Sequence, residues 1–459
     1  MKHVYPSLYL IFPFLLLSAL LQPVSPACAG NELSMEEAVQ TALENNPDIR
    51  MGALNTKSAK AALQKAESLF MPSISLSGGY TRADAPSTYL FKTIDQRQLP
   101  ENVNFNDPGT LSNYEAGLNL RWNLYNGGKK FYSRKMAAAD IAKERADFSK
   151  ARDMVTASVI EIYFSILKAE KFVRIAQKSV ETVRNQLRIM QAKYRAGGIL
   201  KSDILSLEVR VAETEKSLVQ SKNLYETAVT SFETVLAKEF TGRPNLNEDC
   251  KCPVTFPDKT EQAVESALEA RPEITAAEKR IKKAQTALKA ARAEYLPRVD
   301  LTARYYMDDD DISFNADDDN YMAALTMEWK LFSGFSTRAD IKKAQYALKK
   351  AVQAEKKAAL AIRSDVKNAY SDYKNARARF DVAEKSVVSA DESFRIIKKR
   401  YEGGSEPVTR YLEAELAERR ARINRAAAYY DMKLAGIRIG KAMGKLSQLW
   451  DKKGADHEI

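Results

Sequence analysis

Histidine and cysteine are scarce in this sequence of 459 residues. It contains two histidines, His3 and His457, and three cysteines, Cys28, Cys250 and Cys252. A zinc motif, a histidine-based catalytic triad or a histidine acid–base pair needs more of these side chains than the chain provides. We therefore predict that the protein is not an enzyme and has no cofactor and no metal site. The sequence leaves open whether Cys250 and Cys252 form a strained C-x-C disulfide, which would staple a loop locally, or remain free thiols.

Long hydrophobic runs are also lacking, except at the N-terminus. There an apolar run follows a basic start and precedes the small residues Ala27 and Ala29. This order predicts a secretory signal peptide over 1–29. A membrane anchor is disfavoured because the apolar run is short and contains Pro13, and lipid attachment at Cys28 is a minority alternative. We therefore expect an exported protein.

The charge distribution of the chain argues against a nucleic-acid binding site. The formal net charge is +11, and the basic residues are spread along predicted helices instead of forming one cluster. Such a distribution indicates solvated helix faces, so we predict no nucleic-acid partner. After the predicted signal peptide no run of about 18 apolar residues remains, and the sequence therefore predicts no transmembrane helix.

The sequence contains an internal repeat of two units. Residues 33–49 resemble 258–274, with alanines and a proline at matching positions. Further on, RWNLYNGG aligns with EWKLFSGF, which places Trp122 on Trp329, and the alignment then runs without a gap as far as two glycine breaks. Repeats in constant register over such a distance indicate duplicated structural units.

The repeat divides the chain as follows. We predict a signal peptide (1–29), a first repeat (30–237), a linker (238–257), a second repeat (258–443) and a tail (444–459). In the first repeat we predict strands over about 72–82 and 113–125, a long helix over about 129–196 and a tip at 197–203. In the second repeat we predict strands over about 297–307 and 320–332, a long helix over about 337–402 and a tip at 403–409.

The predicted strands alternate strictly between apolar and polar residues. NYEAGLNLRWNLY and NYMAALTMEWKLF both follow this pattern, which places one face in an apolar medium and the other in a polar one. A half-buried sheet in a soluble domain is the alternative. A length of about ten residues favours an outer-membrane strand, and Trp122 and Trp329 at the strand ends fit an interfacial aromatic girdle. Four strands cannot close a barrel in lipid, so we expect the chain to oligomerise.

Two stretches with no proline and almost no glycine predict very long helices. Each would measure ~100 Å at 1.5 Å per residue. Their apolar residues recur at helical spacing with charged residues between them, as side-by-side helix packing requires. The fold class that we predict is therefore mainly α with a membrane β part.

These motifs together resemble the TolC-like outer-membrane efflux (channel-tunnel) family. The motifs are an alanine-rich helix ending in N-P-D-I or R-P-E-I, the strands P-S-I-S-L and P-R-V-D-L, and W-x-L-[YF]-x-G before each long helix. The resemblance implies a homotrimer with a 12-stranded barrel in the outer-membrane lipid and a periplasmic α-helical tunnel. It also implies two partners, a periplasmic adaptor and an inner-membrane transporter driven by protons or by ATP. The expected function is a passive exit duct for efflux or type I secretion, and the alternative is a coiled-coil tether or adhesin.

The two glycine breaks are predicted helix-to-helix turns. Glycine reaches the backbone angles that a tight reversal needs. The family resemblance places these turns at the periplasmic tips, which face the adaptor. The residues assigned to the tips are Gly197, Gly198, Gly403, Gly404 and Pro407.

The family resemblance also suggests a periplasmic gate. Family members often carry two acidic residues just past the second tip, where they ring the pore. The corresponding residues here are Arg410 and Glu413, and the first repeat has Asp203 and Ser206 at the matching positions. Because Arg410 departs from the acidic pattern, we predict a gate held by charge pairing as much as by an acidic ring. A solvated surface pair is the alternative.

An aspartate-rich loop over 308–319 is predicted to lie outside the cell. It lacks the glycine and the final glutamate of an EF-hand loop, so a solvated loop is favoured over a cation site.

Overall fold

The computed structural model describes residues 32–104, 106–248, 256–313 and 319–446. The predicted signal peptide, all three cysteines and most of the predicted tail lie outside these ranges.

The described chain alternates short helices, strands and long helices in two successive sets. The first set is α1 (Met35–Asn45), α2 (Pro47–Ser68), β1 (Ser73–Ala83), α3 (Pro86–Asp95), β2 (Leu111–Asn126), α4 (Lys129–Arg195) and α5 (Lys201–Leu236). The second set is α6 (Thr260–Ala270), α7 (Pro272–Arg292), β3 (Arg298–Asp309), β4 (Asp319–Glu328), α8 (Ser336–Glu402) and α9 (Val408–Ala442). A 3₁₀ turn at Ala293–Tyr295 joins α7 to β3.

Each set begins with two helices where the sequence analysis expected one. Asn46 ends α1 and caps α2 by accepting a hydrogen bond from the Asp48 N–H at 2.8 Å, and Pro47 is the first residue of α2. Pro272 stands at the same place in α7. Proline disfavours a helical conformation of the preceding residue and has no N–H to donate, so the chain bends at both points.

The four strands form one antiparallel sheet in the order β1-β2-β3-β4. The predicted fourth strand, 320–332, was too long, because β4 ends at Glu328. Glu328 pairs with Arg298, which is the first residue of β3, so residues beyond Glu328 have no strand to pair with. At the same end, β2 contains a bulge between Asn123 and Tyr125.

The helices below the sheet stand side by side, with α2 against α4, α4 against α7, and α7 against α8. The long helices α4 and α8 have 67 residues each, which corresponds to ~100 Å. Each returns as an antiparallel partner, α5 or α9. A buried core around Tyr163, Phe164 and Phe232 holds α1, α4 and α5 together near the middle of α4. Among the described residues, no helix is apolar enough over sufficient length to cross a bilayer.

Candidate functional site

The sheet has one polar face and one apolar face. Opposed pairs such as Leu76 with Leu118 and Leu301 with Leu325 lie on the apolar face, whereas Asn119 lies opposite Arg304 on the polar face. The apolar side chains are not covered by the rest of the chain, since Leu76 is 82% exposed and Leu325 is 66% exposed. An open apolar face of this size needs an apolar medium or a partner against it.

Trp122 and Trp329 lie where the strands meet the helices. The Trp122 indole Nε1 donates a hydrogen bond to the Phe70 carbonyl oxygen at 2.9 Å. The Trp329 Nε1 donates in the same way to the Tyr295 carbonyl oxygen, also at 2.9 Å. Both rings remain partly exposed while their one polar group is satisfied. This arrangement suits the boundary between lipid and water.

The two helix tips have the same backbone geometry. Gly197 and Gly404 both have φ of +77°, in the left-handed region. After each of them the chain donates a hydrogen bond back to the last helical turn, from Gly198 N to the Lys193 oxygen at 3.0 Å and from Ser405 N to the Arg400 oxygen at 2.9 Å. This is the Schellman arrangement that ends a helix with a left-handed residue.

The other tip residues have different conformations. Gly403 has φ of −80°, a conformation open to any residue. Pro407 is the residue before α9 and has φ of −76°, so its ring fits the entry into the helix. The two glycines with positive φ, Gly197 and Gly404, are therefore the two that align with each other in the predicted repeat.

Aromatic side chains of the second hairpin belong to a buried cluster that joins the two tips. Tyr401 and Tyr411 stack with ring centroids 5.0 Å apart, and Phe394 lies 5.6 Å from Tyr411. Ile204 and Leu207 of α5 complete this buried cluster. The ends of both helical hairpins therefore form one unit within a single chain.

The structure brings together two of the three predicted gate residues. Arg410 Nη1 lies 3.2 Å from Glu413 Oε2, and both side chains are mostly exposed, at 60% and 68%. Asp203 lies in the first turn of α5, and no ion pair joins it to Arg410 or Glu413 within the described part of the chain.

A buried ion network above the tips was missed by the sequence analysis. Glu415 Oε2 accepts hydrogen bonds from Arg210 Nη2 at 2.7 Å and from Arg210 Nε at 3.2 Å. Its other oxygen accepts a hydrogen bond from the Ser179 hydroxyl, and Arg419 Nε approaches to 4.0 Å. The side chains of Arg210 and Glu415 are only 8% and 2% exposed. The network therefore ties α4, α5 and α9 together away from water.

The charges in this network respond to burial in opposite ways. For Arg210, burial lowers the pKa, but hydrogen bonds to Glu213 and Glu415 outweigh it and raise the pKa above its usual value. For Arg419, burial is the largest effect and leaves the pKa below its usual value. The available sequence signal was helical spacing, because Tyr411, Glu415 and Arg419 lie four residues apart on one buried face.

The aspartate-rich loop is not fully solvated, contrary to our expectation. Asp308 is completely buried, and its Oδ1 accepts hydrogen bonds from Lys92 Nζ at 2.8 Å and from Asn113 Nδ2 at 2.7 Å. Lys92 belongs to α3 and also reaches Glu115 Oε2 at 2.9 Å. The sequence did not predict α3, which folds over the polar face of the sheet and covers this end of the loop. No cluster of three or more potential metal ligands occurs within the described residues.

Comparisons with known proteins agree with this architecture. The chain is 18% identical to the Campylobacter jejuni CmeC outer membrane channel, with a TM-score of 0.77 over 90% of this chain and 85% of that one. It is 24% identical to the protein CyaE of Bordetella pertussis over 323 residues, which are 70% of this chain and 65% of CyaE. It is 22% identical to the outer membrane protein OprJ of Pseudomonas aeruginosa over 84% of this chain and 78% of OprJ. The match to CyaE thus spans slightly less than two thirds of that relative.

The family comparison covers both predicted repeats. The sequence model of the family described as outer membrane efflux protein matches residues 38–238 and 263–445, which is most of the chain. The resemblance drawn from the repeated motifs is therefore confirmed: the chain belongs to the outer membrane efflux protein family.

Proposed function

We propose that three copies of this chain form an outer-membrane channel that is the passive exit duct of an efflux or type I secretion system. The observation that carries the proposal is a four-stranded sheet with one uncovered apolar face, continuous with a wall of upright helices. Its polar face would line an aqueous lumen and its apolar face would meet lipid. Membership of the outer membrane efflux protein family supports the same function.

Closure of the sheet requires copies of the chain. β1 and β4 are the outer strands of the sheet, and each has one edge without a partner among the described strands. Unpaired strand edges are not stable in lipid, and the smallest closed membrane barrels have about eight strands. Three chains would close a 12-stranded barrel, and their helices would continue it as a periplasmic tunnel.

The division into two repeats supports the same assembly. Each repeat, as we place them at 30–237 and 258–443, supplies one strand pair and one hairpin of long helices, and 238–257 links them. In the trimer the tips at Gly197 and Gly404 would face the periplasmic adaptor. An inner-membrane transporter, driven by protons or by ATP, would supply the energy, because the channel itself performs no chemistry.

Conductance separates the proposed duct from a tether. Purified protein in planar bilayers is expected to give stable single-channel currents. Leu325→Arg places a charge on the lipid-facing side of β4 and is expected to abolish insertion, since arginine in mid-membrane costs about 2–4 kcal/mol. The neighbouring Thr326→Arg points to the polar side and is expected to insert and to lower cation conductance. Absence of current from inserted wild-type protein would support the tether instead.

We further propose that Arg410 and Glu413 contribute to a periplasmic gate. An exposed ion pair such as this one contributes less than ~1 kcal/mol. It can therefore shift the equilibrium between the closed and open channel only if the two states are close in free energy. Arg410→Ala is expected to increase the open probability of single channels. The matched control is Arg395→Ala, which removes an exposed pair with Glu392 at the same spacing on α8. An open probability of Arg410→Ala no higher than that of Arg395→Ala would refute the gate.

A further inference from the structure

A basic groove lies between α4 and α7, just below the sheet. It has a volume of about 600 Å³ and is lined by ten residues, none of them acidic. Four of the ten are lysines, Lys135, Lys279, Lys282 and Lys289. Four ammonium groups around one groove create a local positive potential that attracts anions.

Two carboxylates close to the groove in sequence are engaged elsewhere, and Glu278, the residue before Lys279, is exposed and does not line the groove. Asp140 accepts two hydrogen bonds from Lys283 at 2.7 and 2.8 Å, and this pair joins α4 to α7 beside the groove. Glu294 pairs with Lys129. No ion pair involves any of the four groove lysines over the ranges that the structure describes. Their charge is therefore available to a ligand.

The groove opens on the side of the wall that continues the apolar face of the sheet. Lys130 donates to the Asn123 carbonyl oxygen, and the Asn123 side chain donates to Asp300 on the polar face at 2.9 Å. Lys130 thus marks the polar side of α4. Tyr132, which lines the groove, is two residues further and so lies ~200° around the helix. The groove is therefore on the opposite side, below the apolar face.

The height of the groove matches a membrane headgroup layer. α4 starts at Lys129 directly after β2, so Lys135 lies ~9 Å below the helix start at 1.5 Å per residue. Lys289 lies in the last turn of α7, close to the start of β3. The polar layer on each side of a bilayer is about 5–8 Å thick. The upper end of the groove is therefore level with the headgroups, and the lower end reaches beyond them.

A neighbouring copy of the chain would leave this groove open. Within one chain α4 is flanked by α2 and α7, and α7 is flanked by α4 and α8. In a closed ring the adjacent copies meet at the α2 and α8 edges. The groove would therefore lie in the middle of each wall.

We propose that this groove binds the phosphate groups of anionic phospholipids in the periplasmic leaflet. Lysine is a compact cation that binds phosphate as a point charge. Lys279 and Lys289 are ten residues apart on one helix face, ~15 Å, so the lower lysines extend the positive potential below the headgroup layer. The inference rests on the proposed contact between the apolar sheet face and lipid. It goes beyond the duct function, because it predicts a lipid bound specifically to the helical wall.

The test measures lipid retention by native mass spectrometry of the full-length protein in detergent. The probes are dioctanoyl-phosphatidylglycerol, dioctanoyl-phosphatidylcholine as the zwitterionic control, and pyrophosphate as a soluble phosphate. The groove variant changes all four groove lysines to glutamine. The control variant changes four distant exposed lysines to glutamine, which alters the net charge equally: Lys193, Lys201, Lys216 and Lys385.

Each lysine near an anionic lipid surface contributes about fivefold in affinity. The groove variant removes four lysines and is therefore expected to lose on the order of 600-fold in phosphatidylglycerol affinity, whereas the control variant should stay close to wild type. Gln285→Lys adds a fifth cation at the exposed rim without removing any contact, and it should bind about fivefold more tightly.

Equal phosphatidylglycerol binding by the groove and control variants would overturn the proposal, as would no gain from Gln285→Lys. Pyrophosphate binding as tight as that of phosphatidylglycerol would reassign the groove to soluble phosphates and overturn the lipid assignment. Bilayer conductance of the same preparations keeps the two proposals separate. Lipid retention without conductance would refute the duct alone, and conductance without lipid preference would refute the groove alone.

Discussion

Replacing Glu415 by alanine is expected to destabilise the helical part of the protein far more than any exposed charge change near the tips. The substitution leaves the buried Arg210 guanidinium without its carboxylate and removes the acceptor of the Ser179 hydroxyl. Arg419, another buried cation, lies beside it. Removing one partner of a buried ion pair costs about 3–5 kcal/mol because an uncompensated charge remains.

Solvent screening does not reduce this value much, because both side chains of the Arg210–Glu415 pair are almost fully covered. The matched control is Glu413→Ala, two residues away on the same helix, where the pair with Arg410 is exposed. That change is expected to cost less than ~1 kcal/mol. The double variant Arg210→Met/Glu415→Leu should cost less than Glu415→Ala alone, since apolar replacement of both partners leaves no stranded charge in the pair.

The assay is urea unfolding followed by circular dichroism at 222 nm, with all variants in the same detergent. With a similar slope for each variant, the shift of the midpoint reports the change in the free energy of unfolding. If Glu415→Ala shifted the midpoint no more than Glu413→Ala does, the Arg210–Glu415 pair would not be a buried electrostatic link, and our account of it would be wrong.

Two further predictions concern the second tip and the start of α7. Gly404→Ala is expected to destabilise the protein by about 1–2 kcal/mol, because a φ of +77° is strained for an L-residue. Gly403→Ala is the control and should be nearly neutral, because Gly403 has a φ of −80°. Thermal unfolding of the two variants measures the difference. Burial raises the pKa of Glu273, but hydrogen bonds with Arg271 outweigh burial and hold the pKa below its usual value. The pair therefore stabilises the folded protein above about pH 4.5, the usual pKa of glutamate. This stabilisation is lost as the pH falls through the lower pKa of the folded state. The difference in melting temperature between wild type and Glu273→Gln should therefore shrink on acidification from pH 7 to pH 3, and a constant difference would contradict the prediction.

Much of the fold follows from local sequence signals. Alternation of apolar and polar residues predicts the strands, and the absence of proline and glycine predicts the long helices, because both patterns are set by short-range geometry. The alignment of Gly197 with Gly404 in the predicted repeat predicts two turns of the same geometry, and both residues have the same positive φ. The strand end at Glu328 was not predictable in this way, since it depends on where β3 begins.

The buried charges are the part that local patterns miss. Glu415 and Arg210 are separated by 205 residues, so only the packing of α5 against α9 brings them together. Asp308 is buried because α3 lies over it, and α3 belongs to the connection between β1 and β2, which is longer than the connection between β3 and β4. A run of aspartates and a charged residue on a helix both indicate solvated positions until a distant partner is known.

The link between the two hairpins is made from non-equivalent positions of the two predicted repeats. The residue that corresponds to Glu415 in the first repeat is Glu208, which is exposed, and the residue that corresponds to Arg210 in the second is Ala417. Each repeat therefore supplies one member of the pair from a position that has no buried charged counterpart in the other. A link made of non-equivalent positions joins one hairpin to the other in a fixed arrangement, which two identical repeats would not specify. The backbones of the two tips are alike at Gly197 and Gly404, so differences such as the burial of Glu415 are what distinguish the second repeat, where the gate is proposed.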